Sequence, residues 1–155
     1  MKYISVKDLI LGQFEKGKFR KYDILIRYLF VKKYYGTGQK DNFKYNLYSQ
    51  LAMVHGTKDR TKSFIRLIKS FSIHGYDDKY PLTISDDLHI CGGTHRIGIC
   101  LHLGISEVPY ITKNVCRRKR RRFTKSWLKE NGFKERMSRI SRAKKELFKD
   151  IGITG

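Results

Sequence analysis

The sequence is organised around one run of residues, Leu88-His89-Ile90-Cys91-Gly92-Gly93-Thr94-His95-Arg96. The part up to Cys91 predicts a strand, and the pattern from about Thr94 to Leu103 predicts a helix that Gly104 ends. Glycines without a Cβ let an anionic group approach the free amides and the positive dipole end of a helix start. The run therefore predicts a phosphate-binding turn.

The turn also carries candidate ligands. Thr94 can cap the helix with its hydroxyl and face the ligand, and the side chains after it can reach phosphate oxygens from the first helical turn. The plain alternative is a strand-to-helix turn with a surface arginine. The nucleotide-binding residues that we predict are Gly92, Gly93, Thr94, His95 and Arg96.

The flanking sequence predicts strands and helices at close range, which is typical of an α+β fold. Apolar residues at three-and-four spacing predict helices from Tyr22 to about Gly36, around Leu47 to Val54, and from Asp59 or Thr61 to Gly75. Strands are predicted at residues 81–84 and 108–111, and the stretch 4–11 predicts a short strand before a turn at Gly12.

Residues 80–112 resemble the ParB/sulfiredoxin superfamily. The likeness rests on the strand, the glycine-bearing turn with its basic residue, a helix ending in Leu103-Gly104, and a closing strand with Val108-Pro109. It implies a small mixed sheet with packed helices. We expect a nucleotide-binding domain of this kind over residues 1–112, followed by a basic helical tail over residues 113–155.

Differences from the family motifs narrow the implied function. Gly92, Gly93, His95 and Arg96 match the sulfiredoxin turn Gly-Gly-Cys-His-Arg, but Thr94 replaces the reactive cysteine, so sulfinic acid reduction is not expected. The partition proteins carry Gly-Glu-Arg-Arg, and the missing glutamate argues against a CTP-driven DNA clamp. The turn is also similar to the Asp-Gly-His-Thr-Arg type of the free-serine kinases, although Gly92 replaces their aspartate.

The resemblance to the kinases implies an ATP-dependent phosphotransferase acting on a hydroxyl of a small molecule or a glycan precursor. Its cofactors would be ATP, or another nucleoside triphosphate, and Mg²⁺. Such kinases have an acidic residue in the N-terminal segment, for which Glu15 is the nearest candidate and Asp23 the reserve. Asp23 and Arg27 equally suit an ion pair on a helix. We count Glu15, Asp23 and His95 as catalytic candidates.

No metal site of the protein's own is predicted. Neither His89 nor His102 has a metal-ligand partner at suitable spacing. Asp86 and Asp87 could hold Mg²⁺ beside a triphosphate, but an Asp pair between two strands equally suits a turn.

The chain is strongly basic, with a formal net charge of +20. Residues 113–155 hold sixteen of the basic residues and four of the acidic ones. We predict a polyanion-binding linker made of Arg117, Arg118, Lys119, Arg120, Arg121 and Arg122. The alternative function is therefore a ParB-like nucleic-acid-binding protein or nuclease with a nucleotide-gated domain. An anionic membrane surface is a further partner for the tail, and a non-catalytic nucleotide sensor is a third possibility.

The absence of long apolar runs bears on location. No stretch reaches the eighteen or so apolar residues of a membrane span, and the start lacks the apolar block of a signal peptide. We expect a cytoplasmic protein. Cys91, Cys100 and Cys116 are odd in number and lack CxxC spacing, so we expect three free thiols.

Overall fold

The computed structural model describes residues 1–36, 47–114 and 122–154. The α-helices within them are α1 (Val6–Leu11), α2 (Tyr22–Gly36), α3 (Leu47–His55), α4 (Thr61–His74), α5 (Thr94–Leu103), α6 (Lys125–Leu128) and α7 (Met137–Ile151). A π-helical turn (Lys129–Phe133) and a 3-10 turn (Lys134–Arg136) connect the last two. The strands are β1 (Lys2–Ser5), β2 (Phe14–Glu15), β3 (Lys18–Phe19), β4 (Leu82–Ile84), β5 (Ile90–Gly92) and β6 (Glu107–Thr112). None of the helices described is both long and apolar enough to cross a membrane.

A mixed sheet lies at the centre of the fold, with the strand order β1-β6-β4-β5. Strand β6 is antiparallel to β1 and parallel to β4, and β5 is antiparallel to β4. Strands β2 and β3 form a separate hairpin. The predicted α+β class with a basic C-terminal helix is confirmed, and β5 leads through one glycine into α5.

The predicted strand over residues 4–11 is wrong beyond Ser5, where β1 ends and α1 begins. The Oγ of Ser5 accepts a hydrogen bond from the N–H of Asp8 at 3.0 Å. This bond satisfies an amide that a helix start otherwise leaves free. Fewer than two turns of helix give little periodicity, so the cap at Ser5 was the better signal.

Helix α5 packs directly against α2 at Gly98. A Cβ on Gly98 would lie 3.0 Å from the Cβ of Arg27 and 3.1 Å from the backbone nitrogen of Tyr28. Ile97 and Ile99, on either side of the glycine, are fully buried. The missing side chain lets the two backbones meet, which places the first turn of α5 close to the start of α2.

The helices after the basic run belong to the same hydrophobic core as the rest. Leu128, Phe133 and Ile140 are fully buried and join one cluster with residues of α2 and α5. The ring of Phe148 lies 5.2 Å from that of Phe19 in the hairpin, centroid to centroid. The division into a domain over residues 1–112 and a tail over residues 113–155 stays a prediction, but the hydrophobic core is continuous across that boundary.

The cysteines do not all match the expectation. Cys100 is a free, buried thiol, as predicted. Cys91 is disulfide-bonded, so the prediction of three free thiols is wrong. Cys116 lies outside the described residues. A disulfide depends on the distance between two backbones in space, which spacing along the chain does not reveal.

Truncating Phe133 tests whether the tail is part of the core. We expect Phe133→Ala to lower the free energy of unfolding by about 3 to 5 kcal/mol, the usual cost of removing a buried phenylalanine ring. Urea denaturation measures this change. The neighbouring Lys134 is exposed, so Lys134→Ala is the control, with an expected change within about 0.5 kcal/mol. Wild-type stability of Phe133→Ala would contradict the single core.

Candidate functional site

The turn between β5 and α5 has the strand–glycine–helix order that the sequence predicts, but the predicted cap is wrong: Gly93 is the N-cap residue, and no side chain of the described residues, that of Thr94 included, caps the helix. Gly93 precedes the helix with a φ of 100°, a left-handed conformation that favours glycine. A Cβ there would also clash with Cδ2 of Leu82. The first amide to donate within the helix is that of Ile97, to the carbonyl of Gly93 at 3.1 Å. The three amides before it have no carbonyl of their own helix to bind.

A cavity of about 290 Å³ opens beside this turn. The turn contributes Thr94 and His95 to its lining, α2 contributes Asp23 and Arg27, and α3 contributes Tyr48. The fold thus brings together predicted site residues that lie about seventy positions apart in the sequence. Asp23 is the one carboxylate among the lining residues that the structure describes.

A second cavity of about 210 Å³ adjoins the first, because Arg60 and His95 line both. Gly93 and Arg96 also line it. The guanidinium of Arg96 lies 5.4 Å from the ring centre of Tyr80, a cation–π contact that holds it near the turn. Predicted residues of the glycine turn therefore contribute to both cavities.

Basic side chains surround the two cavities, a charge distribution that attracts anions. The lining cations are Lys21, Arg27, Lys58, Arg60 and Arg96. Sequence reasoning missed Arg60, although it lies directly before α4, where Asp59 accepts a hydrogen bond from the N–H of Thr61 at 2.9 Å. The sequence shows the charged residues before α4, but it does not show that Arg60 lines a cavity with Gly93, over thirty residues later.

Asp23 is almost completely enclosed, with 3% of its side chain exposed. Its Oδ2 lies 3.2 Å from Nη1 of Arg27 and 3.5 Å from Nζ of Lys21, which confirms the ion-pair interpretation. Its Oδ1 is buried and has no hydrogen-bond partner among the described residues. An unpaired buried acceptor destabilises a protein, so a ligand that donates a hydrogen bond to this oxygen would remove that cost.

His95 lies among aromatic rings rather than on the surface. Its Nε2 is 2.7 Å from the hydroxyl of Tyr48, and its ring meets those of Tyr48 and Phe64 edge-on. Burial, assisted by the nearby charge of Arg27, lowers the pKa of His95 to about 3. The imidazole is therefore neutral at pH 7, and it can offer a ligand a hydrogen bond but no charge.

Glu15 lies elsewhere. Its side chain is 55% exposed, and its Oε2 lies 3.6 Å from Nε of Arg20. It lines a separate cavity of about 180 Å³ together with Asp87 and His89. The structure therefore does not bring Glu15 to the glycine turn. This cavity at Glu15 and the first cavity at the glycine turn share one lining residue, Lys21.

Most of the predicted polyanion-binding run lies outside the described residues: Arg117, Arg118, Lys119, Arg120 and Arg121. Arg122 is described, and its Nη1 lies 3.1 Å from Nδ1 of His55. Phe123, the next residue, lines the first cavity, and this role was not foreseen from the sequence.

No family model matches the chain, and no curated protein or solved structure does so either. The resemblance to the ParB/sulfiredoxin superfamily therefore stays a prediction that rests on residues 80–112. The chemistry of the site follows from its own geometry and charge.

Stability is expected to fall as the pH drops below about 6.5, because unfolding lets His95 take up a proton. Its pKa is 6.5 when unperturbed and about 3 in the fold. Between these values the unfolded state binds more protons, so stability that is complete above pH 6.5 is progressively lost towards pH 3. The contribution of His95 between pH 7 and pH 5 is about 2 kcal/mol.

Urea denaturation of the ligand-free protein at pH 7 and pH 5 measures this loss. His95→Gln cannot titrate in this range, so it should lose less stability than wild type over the same interval. The same pH dependence in both proteins would show that His95 is not the group responsible.

Proposed function

We propose that the chain binds a nucleoside triphosphate beside Gly93 and transfers its terminal phosphate to a hydroxyl of a small molecule or a glycan precursor. One observation carries the proposal: a left-handed glycine, the start of α5, Arg60 and Arg96 surround two adjoining cavities. Free helix amides and guanidinium groups are the donors that phosphate oxygens bind.

Phosphoryl transfer requires mainly positioning and neutralisation of charge. We assign Arg60 and Arg96 to the phosphate chain, because these cations line the cavity that Gly93 also lines. Thr94, whose side chain carries a hydroxyl, lines the first cavity. Neutral His95 adds a hydrogen bond without adding charge, so the arginines supply the positive charge near the transferred phosphoryl group.

Asp23 is our choice for the residue that orients the acceptor hydroxyl. It lines the same cavity as Thr94, and its Oδ1 has no hydrogen-bond partner among the described residues. A hydroxyl that donates to this oxygen would be held close to the phosphate turn. Glu15, the first candidate from the sequence, is more exposed and lines the other cavity, so the geometry favours Asp23.

Magnesium fits this site as an ion carried by the nucleotide. The described residues contain no group of three or more side chains that could hold a metal. Mg²⁺ usually keeps several waters and binds through substrate phosphates with one or two carboxylates. The phosphates of ATP, or of another nucleoside triphosphate, would hold the ion, which supplies further neutralisation of phosphate charge.

The solvent-facing side of α7 supports a second candidate function, binding of nucleic acid. Its buried side chains include Met137 and Ile140, whereas its exposed ones include Arg139, Arg142 and Lys145. Such a face suits contacts to phosphate backbones, which are independent of sequence and weaken with salt. An anionic membrane surface carries negative charge as nucleic acid does, and it is a further partner for this face of α7. We rank this function second because these exposed cations line neither of the two cavities at the glycine turn.

The phosphate contacts are tested by Arg96→Ala. We expect the variant to bind ATP with Mg²⁺ more weakly by about 1.5 to 3 kcal/mol, the usual value of a charge-assisted hydrogen bond. Calorimetry measures the affinity, and thermal melting checks the fold. Arg66 is exposed and lines neither cavity, so Arg66→Ala is the matched control. Wild-type affinity in Arg96→Ala would remove the proposed phosphate site.

The assignment of the residue that orients the acceptor hydroxyl is tested by comparing Asp23→Asn with Glu15→Gln. Supplying sugars, polyols and hydroxy-amino acids in turn should reveal an acceptor that increases ATP consumption. Asp23→Asn should then lose about 10²-fold in turnover, the scale of a general base, while it keeps nucleotide affinity. Glu15→Gln should be unaffected.

Loss of turnover in Glu15→Gln alone would show that Glu15, and not Asp23, orients the acceptor hydroxyl. Asp23→Asn also weakens two ion pairs, so its melting temperature is measured, and Asp23→Glu, which keeps the charge, should retain more activity. If DNA rather than any hydroxyl compound increases ATP loss, in a salt-dependent manner, the second candidate function takes first place.

A further inference from the structure

We infer that the nucleobase of the ligand stacks on Phe123, so that the segment after the basic run forms one end of the nucleotide site. This inference rests on the proposed function, which places the phosphates at the glycine turn. It adds that the part of the first cavity at Phe123 recognises the base of the ligand.

The residues that line the first cavity follow α3 from Tyr48 to His55. Near one end of α3, the hydroxyl of Tyr48 meets His95 at the glycine turn, 2.7 Å from its Nε2. At the other end, the ring of His55 lies 5.1 Å from that of Phe123, centroid to centroid. Tyr48 and His55 are about two helical turns apart, or about 10 Å along the axis. This span suits a nucleotide that is extended from base to phosphate.

The end at Phe123 differs in chemistry from the end at the turn. Leu51 and Ala52 line the cavity together with Phe123. Lys21, which lines the same cavity, lies with its ammonium 5.3 Å from the centre of the Phe123 ring. Lys21 and Phe123 both line the cavity, so a base that stacks on this ring would replace the ammonium there, while Lys21 would keep its ion pair with Asp23. An aromatic ring beside the apolar side chains of Leu51 and Ala52 suits a base, whereas the cationic turn suits phosphate.

The fold holds Phe123 in an uncommon conformation. Its φ is 68°, which is rare for a bulky side chain. The carbonyl of Phe123 accepts a hydrogen bond from the N–H of Tyr22 at 2.8 Å, and its ring lies 5.2 Å from that of Trp127. Conformations of this kind persist where neighbouring contacts enforce them, and they cluster at ligand sites. The strained backbone and the position in the cavity both support a binding role for Phe123.

The test compares two ligands that differ by the nucleoside. ATP and inorganic tripolyphosphate, each with Mg²⁺, are titrated by calorimetry into the full chain. Phe123→Leu removes the aromatic face but keeps an apolar side chain, and Phe123→Tyr keeps the ring. We expect Phe123→Leu to bind ATP about 10-fold more weakly than wild type does, on the scale of one base–aromatic stack. Its affinity for tripolyphosphate should equal that of wild type. Phe123→Tyr should keep ATP affinity.

The possible outcomes separate the two proposals. Wild-type ATP affinity in Phe123→Leu would overturn the stacking inference and leave the proposed function intact. Equally weakened binding of both ligands to Phe123→Leu would also overturn the inference, because it would show that the substitution disturbs the cavity as a whole. Failure of the wild-type chain to bind either ligand would overturn the proposed function, and the inference with it.

Tryptophan fluorescence provides a readout that does not depend on these variants. Trp127 is the only tryptophan in the sequence, and its ring contacts that of Phe123. ATP should change the emission of Trp127 in the wild-type chain, whereas tripolyphosphate should not. Binding of ATP without any change in emission would contradict a base at Phe123.

Discussion

The direct contact between α2 and α5 at Gly98 is the constraint on which the site depends. A Cβ at this position would press on the backbone of α2 at Arg27 and Tyr28, and the helices would have to move apart. Since Asp23 and Arg27 lie on one helix and His95 on the other, that movement would separate the walls of the first cavity. Gly93, only five residues before Gly98, is positioned by the same contact.

The electrostatics of the site follow from this close packing. Burial keeps His95 neutral, because its pKa is lowered to about 3. Asp23 is held by Lys21 and Arg27 with one carboxylate oxygen, while the other has no partner among the described residues. Buried polar groups are usually satisfied. A site that has a surplus of cations and an unpaired acceptor is therefore suited to a ligand with both phosphate and a hydrogen-bond donor.

The parts of the fold that could be predicted are those with strong local signals. Helix α2 has apolar residues at helical spacing, and α5 lies between glycines, so both were predicted close to their observed bounds. Helix α1 was missed because it is short. Glu15 was preferred to Asp23 on sequence position alone, since nothing in the local pattern shows that a hairpin places Glu15 in another cavity.

The sequence by itself determined the α+β class, the strand–glycine–helix turn at residues 90–94 and the basic character of the chain, because each depends on neighbouring residues or on composition. The tertiary structure decided that Asp23 and Arg60 lie at this turn, that Cys91 is in a disulfide, and that Phe123 lines the cavity. These features depend on how distant segments pack. Packing is set by buried contacts across the whole core, and no local pattern of residues records them.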